Sequence, residues 1–258
     1  MRIDPGGTIG IIGGGQLGRM LAIQAARLGY KCHIFAPDEA PCATQVSAVF
    51  TRGEYADSEA LARFADSVDV ATYEFENVPA ASLEAVSSKL RPGVASLQIG
   101  QERAREKEFI ESTGAPVGRW IRVDSREDAE AAERELELPL VLKTRRLGYD
   151  GKGQAWARSP GSAVEAWEAI GRQPAIAEAG VDFDCEFSVV LARDSKGEIA
   201  VWDLPRNDHE GGILRRSTVP AGPLVDRHSA QAVEVATAIA ESLGHVGVLT
   251  VEFFATAK

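Results

Sequence analysis

The segment VLKTRRLGYDGKGQ, Val141 to Gln154, carries the densest chemical signal in the chain. It begins in an apolar strand, Leu140 to Thr144, that holds Lys143. It then runs into a loop with Arg145, Arg146 and Lys152 set among Gly148, Gly151 and Gly153. Cations crowded this closely repel one another unless an anion sits among them. The chain as a whole has 28 basic and 38 acidic side chains and a net charge of -10, so the local excess stands against an acidic background. Glycines let loop N–H groups wrap a polyphosphate, and a strand-anchored lysine meets phosphate oxygens as a point charge. A solvated basic hairpin is the plainer alternative, although it has no need of three glycines at this spacing.

Acidic residues fall on the strands that follow. Glu178 closes Ala175 to Ala179, and Glu186 opens the next strand, whose period-2 face is Phe187, Val189 and Leu191. Glu252 lies between Val251 and Phe253 in the closing strand Val246 to Phe254. A carboxylate buried there would need a partner or a metal, and facing a polyphosphate through Mg²⁺ supplies one. An outward-facing strand residue is the other reading. Around these pieces the patterns predict a charged helix over Gln101 to Ser112, then strand Trp120 to Val123 and helix Ser125 to Leu136. Strand Gln154 to Ala157 and helices Ser162 to Ile170 and Ser229 to Leu243 complete an α+β region.

Residues 8 to 95 are organised differently. Strands are predicted at Thr8 to Ile12, Cys32 to Ala36, Ala48 to Phe50 and Val68 to Tyr73. Helical patterns are predicted at Leu17 to Leu28, Ser58 to Ala65 and Ala80 to Leu90. Such alternation implies a parallel sheet with helices on its faces. Gly13-x-Gly15-x-x-Gly18 sits between the first strand and first helix, and Asp38 follows the second strand. This is the context of a dinucleotide fingerprint, so a nicotinamide dehydrogenase is one reading. A tight strand–helix corner that serves some other ligand is another, and the four histidines offer no recognisable hydride chemistry.

Bulk properties exclude other classes. No apolar run approaches the roughly 20 residues of a membrane helix, and the N-terminus lacks a signal-peptide core, so neither membrane nor secretion is expected. Cys32, Cys42 and Cys185 form no CxxC pair, which fits a reducing cytoplasm. The acidic balance disfavours nucleic-acid partners.

Taken together, GGGQLGRM (Gly13 to Met20), TYEFENV (Thr72 to Val78), KTRRLGYDGKGQ (Lys143 to Gln154) and VGVLTVEFF (Val246 to Phe254) resemble the ATP-grasp ligases, in particular the 5-(carboxyamino)imidazole ribonucleotide synthases of purine biosynthesis. The resemblance runs over essentially the whole chain. It implies an ATP-grasp fold with a Rossmann-like N-terminal domain over residues 1–95, a linker helix and lid subdomain over 96–176, and an incomplete C-terminal lobe over 177–258. ATP would lie between lid and lobe. By the family pattern Arg103 and Lys143 contact ATP, and Gly148, Tyr149, Asp150, Gly151, Lys152, Gly153 and Gln154 form the phosphate loop. Glu178, Ala179, Gly180 and Val181 form the adenine hinge, Glu186 holds the ribose, and His209 approaches the nucleotide. Lys143, Tyr149 and Asp150 are the implied catalytic residues, with the latter two at the junction of the two substrates. Gln16, Leu17 and Glu76 would bind aminoimidazole ribonucleotide, and Glu252 would be one Mg²⁺ ligand. The implied substrates are ATP, bicarbonate and aminoimidazole ribonucleotide, and the implied assembly is a homodimer. Arg206 stands where the family commonly has an acid. The family also continues beyond Lys258 with an Asn-Glu pair that supplies a second Mg²⁺ ligand, so the chain as given is expected to be a poor catalyst. Another ATP-grasp ligase, a dehydrogenase and a non-catalytic nucleotide-binding module remain open on the residues alone.

Overall fold

The computed structural model describes residues Arg2 to Gly148 and Lys152 to Ala257; Tyr149, Asp150 and Gly151 of the predicted phosphate loop lie outside the described residues. The chain divides into two compact units. The first comprises residues 1–98, 194–196 and 245–247, and the second 99–193, 197–244 and 248–258. No helix among the described residues is long and apolar enough to cross a membrane.

In the first unit β1 (Thr8–Ile12), α1 (Gln16–Arg27), β2 (Lys31–Ala36), β3 (Val49–Arg52), α2 (Ser58–Asp66) and β4 (Val70–Tyr73) follow in order. The strands make one parallel sheet ordered β3-β2-β1-β4. Successive residues of β1 serve opposite faces. Ile12 joins Phe35, Leu61 and Phe64 beneath α2, whereas Ile11 joins Ile34, Ala22 and Ala25 beneath α1. α2 starts where the Asp57 carboxylate accepts the Ala60 N–H, an N-cap that satisfies one free donor.

Two expectations change here. The residues that recur at helical spacing, Leu17, Met20, Leu21, Gln24, Ala25 and Leu28, do mark a helix, but of these only Ala25 is buried; α1 buries Gly18 and Ala22 with it. Close approach explains the choice, since a Cβ at Gly18 would lie 3.2 Å from the Gly13 carbonyl oxygen. The predicted helix Ala80 to Leu90 reduces to a 3₁₀ stretch at Ser82–Val86. The chain must then straighten, because Leu90 bridges Ala71 beside β4 and Lys89 Nζ donates to the Ala65 and Val68 carbonyls, each at 2.8 Å.

His33 lies buried in this unit between the hydroxyls of Thr51 (2.8 Å) and Ser67 (2.9 Å), edge-on to Phe64. Burial lowers its pKa. The unfolded chain therefore takes up this proton first, and the contribution of the site to stability, present above about pH 6.5, is lost as pH falls through the folded value. Urea melts at about pH 7.5 and about pH 5.5 should show a loss of stability on acidification that is smaller in a His33→Gln variant.

α3 (Val94–Gly100), which sequence patterning missed, begins in the first unit, where Val94 and Leu97 join its core, and ends in the second, which continues with α4 (Arg103–Ser112). Then come β5 (Trp120–Val123), α5 (Arg126–Leu136), β6 (Leu140–Thr144), β7 (Gln154–Ala157), α6 (Ser162–Ala169) and β8 (Ala175–Ala179). These strands form an antiparallel sheet ordered β5-β8-β6-β7. Its core face carries Val123, Leu140, Leu142, Ala175 and Ala177, packed on Ala129, Ala132, Ala163 and Ala166 of α5 and α6. Ser125 and Asp128 close a capping box at the start of α5.

The last part comprises β9 (Cys185–Arg193), β10 (Ile199–Val201), β11 (Arg206–Glu210), β12 (Ile213–Thr218), α7 (Pro223–Ser242) and β13 (Gly247–Ala255). The strands form one sheet, ordered β10-β9-β11-β12 with β13 also paired to β9. Phe187, Val189 and Leu191 meet Val225, Ala232, Ala236 and Ala240 of α7, as the period-2 pattern of β9 requires. α7 starts six residues earlier than its apolar pattern suggested, with Pro223 in its first turn.

Candidate active site

Lys143 and Glu178 face away from the α5–α6 core. In the β6–β8 register Val141 opposes Glu178, so Lys143, two residues on, shares the face of Glu178. Lys143 Nζ donates to Glu178 Oε2 at 2.6 Å. α4 covers the same face: Lys107 Nζ lies 2.9 Å from Glu178 Oε1, Glu108 pairs with Arg122, and Glu111 accepts from the Trp120 indole. Burial alone would raise the Glu178 pKa, but the two lysine charges and their hydrogen bonds outweigh it and hold the carboxyl below its usual range. Glu106 feels burial most and is raised, although Arg103 and Lys107 pull against that shift.

The basic loop leaves this strand with part of its charge already spoken for. Arg145 reaches Glu102 (3.0 Å) and Asp124 (3.1 Å), and Glu102 is itself buried as the N-cap of α4. The anion that this cation demanded is therefore internal, and Arg145 drops out of the argument for a polyphosphate. Arg103 bridges the loop base, donating Nε to the Thr144 carbonyl and Nη2 to the Gly148 carbonyl, each at 3.2 Å. Gly153 has φ 68, and a Cβ there would fall 2.5 Å from Thr144 Oγ1, so strand packing as well as loop freedom requires this glycine. Gln154 begins β7 opposite Lys143. In the predicted hinge Glu178 to Val181, the Ala179 and Gly180 N–H groups donate to the Arg119 and Pro139 carbonyls.

Glu186, near the start of β9, pairs with His209 Nδ1 on β11. Its carboxyl pKa is raised, chiefly by burial and further by Glu252, while His209 and Lys143 oppose the shift. β13, which carries Glu252, is hydrogen-bonded beside β9, which carries Glu186. Glu252 itself lies on the exposed face of β13, so the burial cost inferred for it does not arise. Among the described residues no three metal-ligating side chains cluster.

In the first unit β1 leads to β2 on one side while β4 lies on the other, so the strand order reverses between β1 and β4. Open α/β sheets bind ligands at the carboxyl ends of strands at such a point. Gln16 and Leu17 start α1 just beyond β1, and Glu76 lies just beyond β4. The carboxylate nearest the glycine turn is Glu74, whose Oε2 accepts from the Gly15 N–H at 3.4 Å. Glu76 instead accepts from Asn77. A Cβ at Gly13 or Gly15 would run into the Glu74 carboxylate, and one at Gly14 into Pro41. The helix start where a dinucleotide would place its pyrophosphate faces a protein carboxylate, which counts against the dehydrogenase reading.

Comparison with known proteins agrees with both units. Residues 7–101 match the ribonucleotide synthetase preATP-grasp domain and residues 108–258 match the ATP-grasp domain. An N5-carboxyaminoimidazole ribonucleotide synthase of Brucella melitensis is 46% identical over 260 residues, an overlap of 98% of this chain and 70% of that protein. The chain belongs to the N5-carboxyaminoimidazole ribonucleotide synthase family. A crystal structure of an ADP complex of such a synthetase superposes with a TM-score of 0.93 at 40% identity, over 99% of this chain and 68% of that one. The Aspergillus clavatus enzyme in complex with ADP and 5-aminoimidazole ribonucleotide superposes with a TM-score of 0.86 at 29% identity, over 96% and 66% of the two chains.

The expected ATP-grasp fold, with its parallel-sheet N-terminal domain and antiparallel sheets, is thus present. As a member of the synthase family the chain is an ATP-grasp ligase. Two residues that sequence reasoning passed over now stand beside the expected ones. Glu74 directly follows β4, the strand paired with β1 and so beside the glycine turn. Lys107 lies four residues after Arg103 on a helix already predicted, and that spacing puts the two on one face.

Proposed function

We propose that this chain carboxylates 5-aminoimidazole ribonucleotide with bicarbonate, using ATP, to give the N5-carboxyamino product in purine biosynthesis. The observation that carries the reading is a pair of contacts: Lys143, at the base of the glycine loop, pairs with Glu178, and Glu186 pairs with His209 on β9 and β11, with β13 and its Glu252 hydrogen-bonded beside β9. A lysine strand, a glycine loop and late acids together suit a nucleoside triphosphate. The ADP bound by the related synthetase supports the choice.

Bicarbonate oxygen attacks the γ-phosphorus, ADP leaves, and carboxyphosphate forms. This mixed anhydride breaks down to phosphate and CO₂, which the exocyclic amine captures. Phosphoryl transfer depends mainly on alignment and charge neutralisation. Lys143 supplies charge at the phosphates, aided by Arg103 and Lys152, and Gly148 to Gln154 forms the covering loop with Tyr149 and Asp150 within it. Glu178 to Val181 borders the adenine, Glu186 receives the ribose, and His209 fixes Glu186. Gln16, Leu17, Glu74 and Glu76 hold the aminoimidazole ribonucleotide in the first unit, in keeping with the ligand of the Aspergillus relative. Glu252 is a hard oxygen donor that suits Mg²⁺, an ion commonly held by one or two carboxylates together with substrate phosphates. When bound, Mg²⁺ would neutralise charge on the transferring phosphoryl group. The three cysteines are all free, which fits a cytoplasmic enzyme.

Calorimetric titration tests the reading. ATP·Mg²⁺ should bind and NAD⁺ should not, and ADP release should require bicarbonate and rise on addition of aminoimidazole ribonucleotide. Binding of NAD⁺ with none of ATP would overturn it.

A further inference from the structure

Glu178 is held from two sides, and only one of its partners belongs to the expected ATP site. Lys143 occupies Oε2 at 2.6 Å, whereas Lys107, from a different element, occupies Oε1 at 2.9 Å. All three side chains are largely withdrawn from solvent, at 25% exposure for Lys143, 20% for Lys107 and 17% for Glu178. α4 is also tied to this face by Glu108–Arg122 and Glu111–Trp120, which keeps the backbone of Lys107 beside Glu178. Lys107 also falls between the two family matches, which end at residue 101 and resume at residue 108.

This arrangement answers a problem raised by the proposed ATP site, on which the inference rests. A lysine engaged at 2.6 Å by a carboxylate is not available to a phosphate. If Lys143 leaves for the nucleotide, a largely buried carboxylate loses a partner, and an uncompensated buried charge is strongly unfavourable. We propose that Lys107 is a positioning residue that keeps Glu178 paired while Lys143 transfers from Glu178 to the ATP phosphates. Lys143 and Lys107 take one carboxylate oxygen each, and the bond to Lys107 needs no rearrangement when ATP arrives. The exchange involves no change in the total number of charges: one lysine moves from carboxylate to phosphate, and the other stays. Arg103, on the same face of α4 as Lys107, keeps to the backbone carbonyls of Thr144 and Gly148 and does not compete for Glu178.

A double-mutant cycle on ATP·Mg²⁺ affinity tests this, using Lys107→Met, Glu178→Gln and the pair, with Lys107→Arg as the conservative variant. Lys107→Met should weaken ATP binding by about ten- to a hundredfold and raise the KM for ATP much more than it lowers kcat. Lys107→Arg should restore most of the loss. In the Glu178→Gln background, where no charge needs a partner, Lys107→Met should have less than about a threefold effect. Equal effects in both backgrounds, or full ATP affinity in Lys107→Met, would refute the role of Lys107 while leaving the ATP site intact. Failure of the unsubstituted chain to bind ATP would remove the nucleotide reading and this inference together. Should Lys107→Met unfold, the Lys107→Arg and Glu178→Gln variants still decide: loss of ATP affinity in Lys107→Arg with a normal melting curve would count against the proposal.

Discussion

In a version of the protein carried to the full length of its relatives, Lys143→Ala is expected to lower ATP turnover by about a thousandfold or more, because it removes the strand-borne cation proposed to meet the phosphates. The fold should survive. Glu178 would keep Lys107 at 2.9 Å, so its charge would not be left alone, and the loss in stability should stay near about 1 kcal/mol. The pH dependence has a definite sign. The folded carboxyl of Glu178 titrates below its usual value, so its pairing stabilises the protein above the unfolded carboxylate pKa and is lost as pH falls through the folded one. With one lysine gone, that acid-sensitive contribution should shrink, and melts of the variant and parent should converge at low pH. Stopped-time measurement of ADP release, with circular dichroism to check folding, decides the matter. Near-normal ADP release from a folded Lys143→Ala variant would mean that the lysine strand does not serve ATP.

Strand positions were legible in the sequence because short apolar runs were bounded by turn-forming residues, Gly13 after Thr8–Ile12, Asp124-Ser125 after Trp120–Val123 and Pro139 before Leu140–Thr144. Thr8–Ile12, Trp120–Val123 and Leu140–Thr144 come out as predicted. Which face an element buries was harder to read. The pattern of α1 contains an apolar stripe and a stripe of small residues, and hydrophobicity alone favours the wrong one; the helix instead packs where Gly18, Ala22 and Ala25 permit close approach. Glu252 shows the same gap in a strand, since alternation states that neighbours face opposite ways but not which way is out. The 3₁₀ stretch Ser82–Val86 yielded to a tertiary demand, the return of Leu90 to Ala71, that no local pattern records. The site was legible as an inventory more than as an arrangement. Lys143 pairs with Glu178 and Glu186 with His209, and these pairs, like the internal use of Arg145 and the nearness of Glu74 to the glycine turn, depend on contacts between residues far apart in the chain.

That glycine turn yields the second large effect. Gly13 has φ 117, a conformation that side chains rarely tolerate, and an added Cβ would fall 2.2 Å from Glu74 Oε2 and 3.1 Å from the Phe75 nitrogen. Gly13→Ala must therefore strain the backbone, at about 1–3 kcal/mol, and drive the Glu74 carboxylate off the turn. The melting temperature should drop by several degrees, at about 2–4 °C for each kcal/mol lost. If Glu74 and Gln16 hold the ribonucleotide, its KM should rise by about tenfold or more, because the carboxylate can no longer rest beside the Gly15 N–H. ATP affinity should be unchanged, since the proposed nucleotide residues all belong to the other compact unit. Gly100→Ala is the matched control, with nothing within 4 Å of the added Cβ, and should alter neither constant. A Gly13→Ala enzyme with a normal ribonucleotide KM would show that the ribonucleotide binds away from this turn and that Glu74 serves the fold alone.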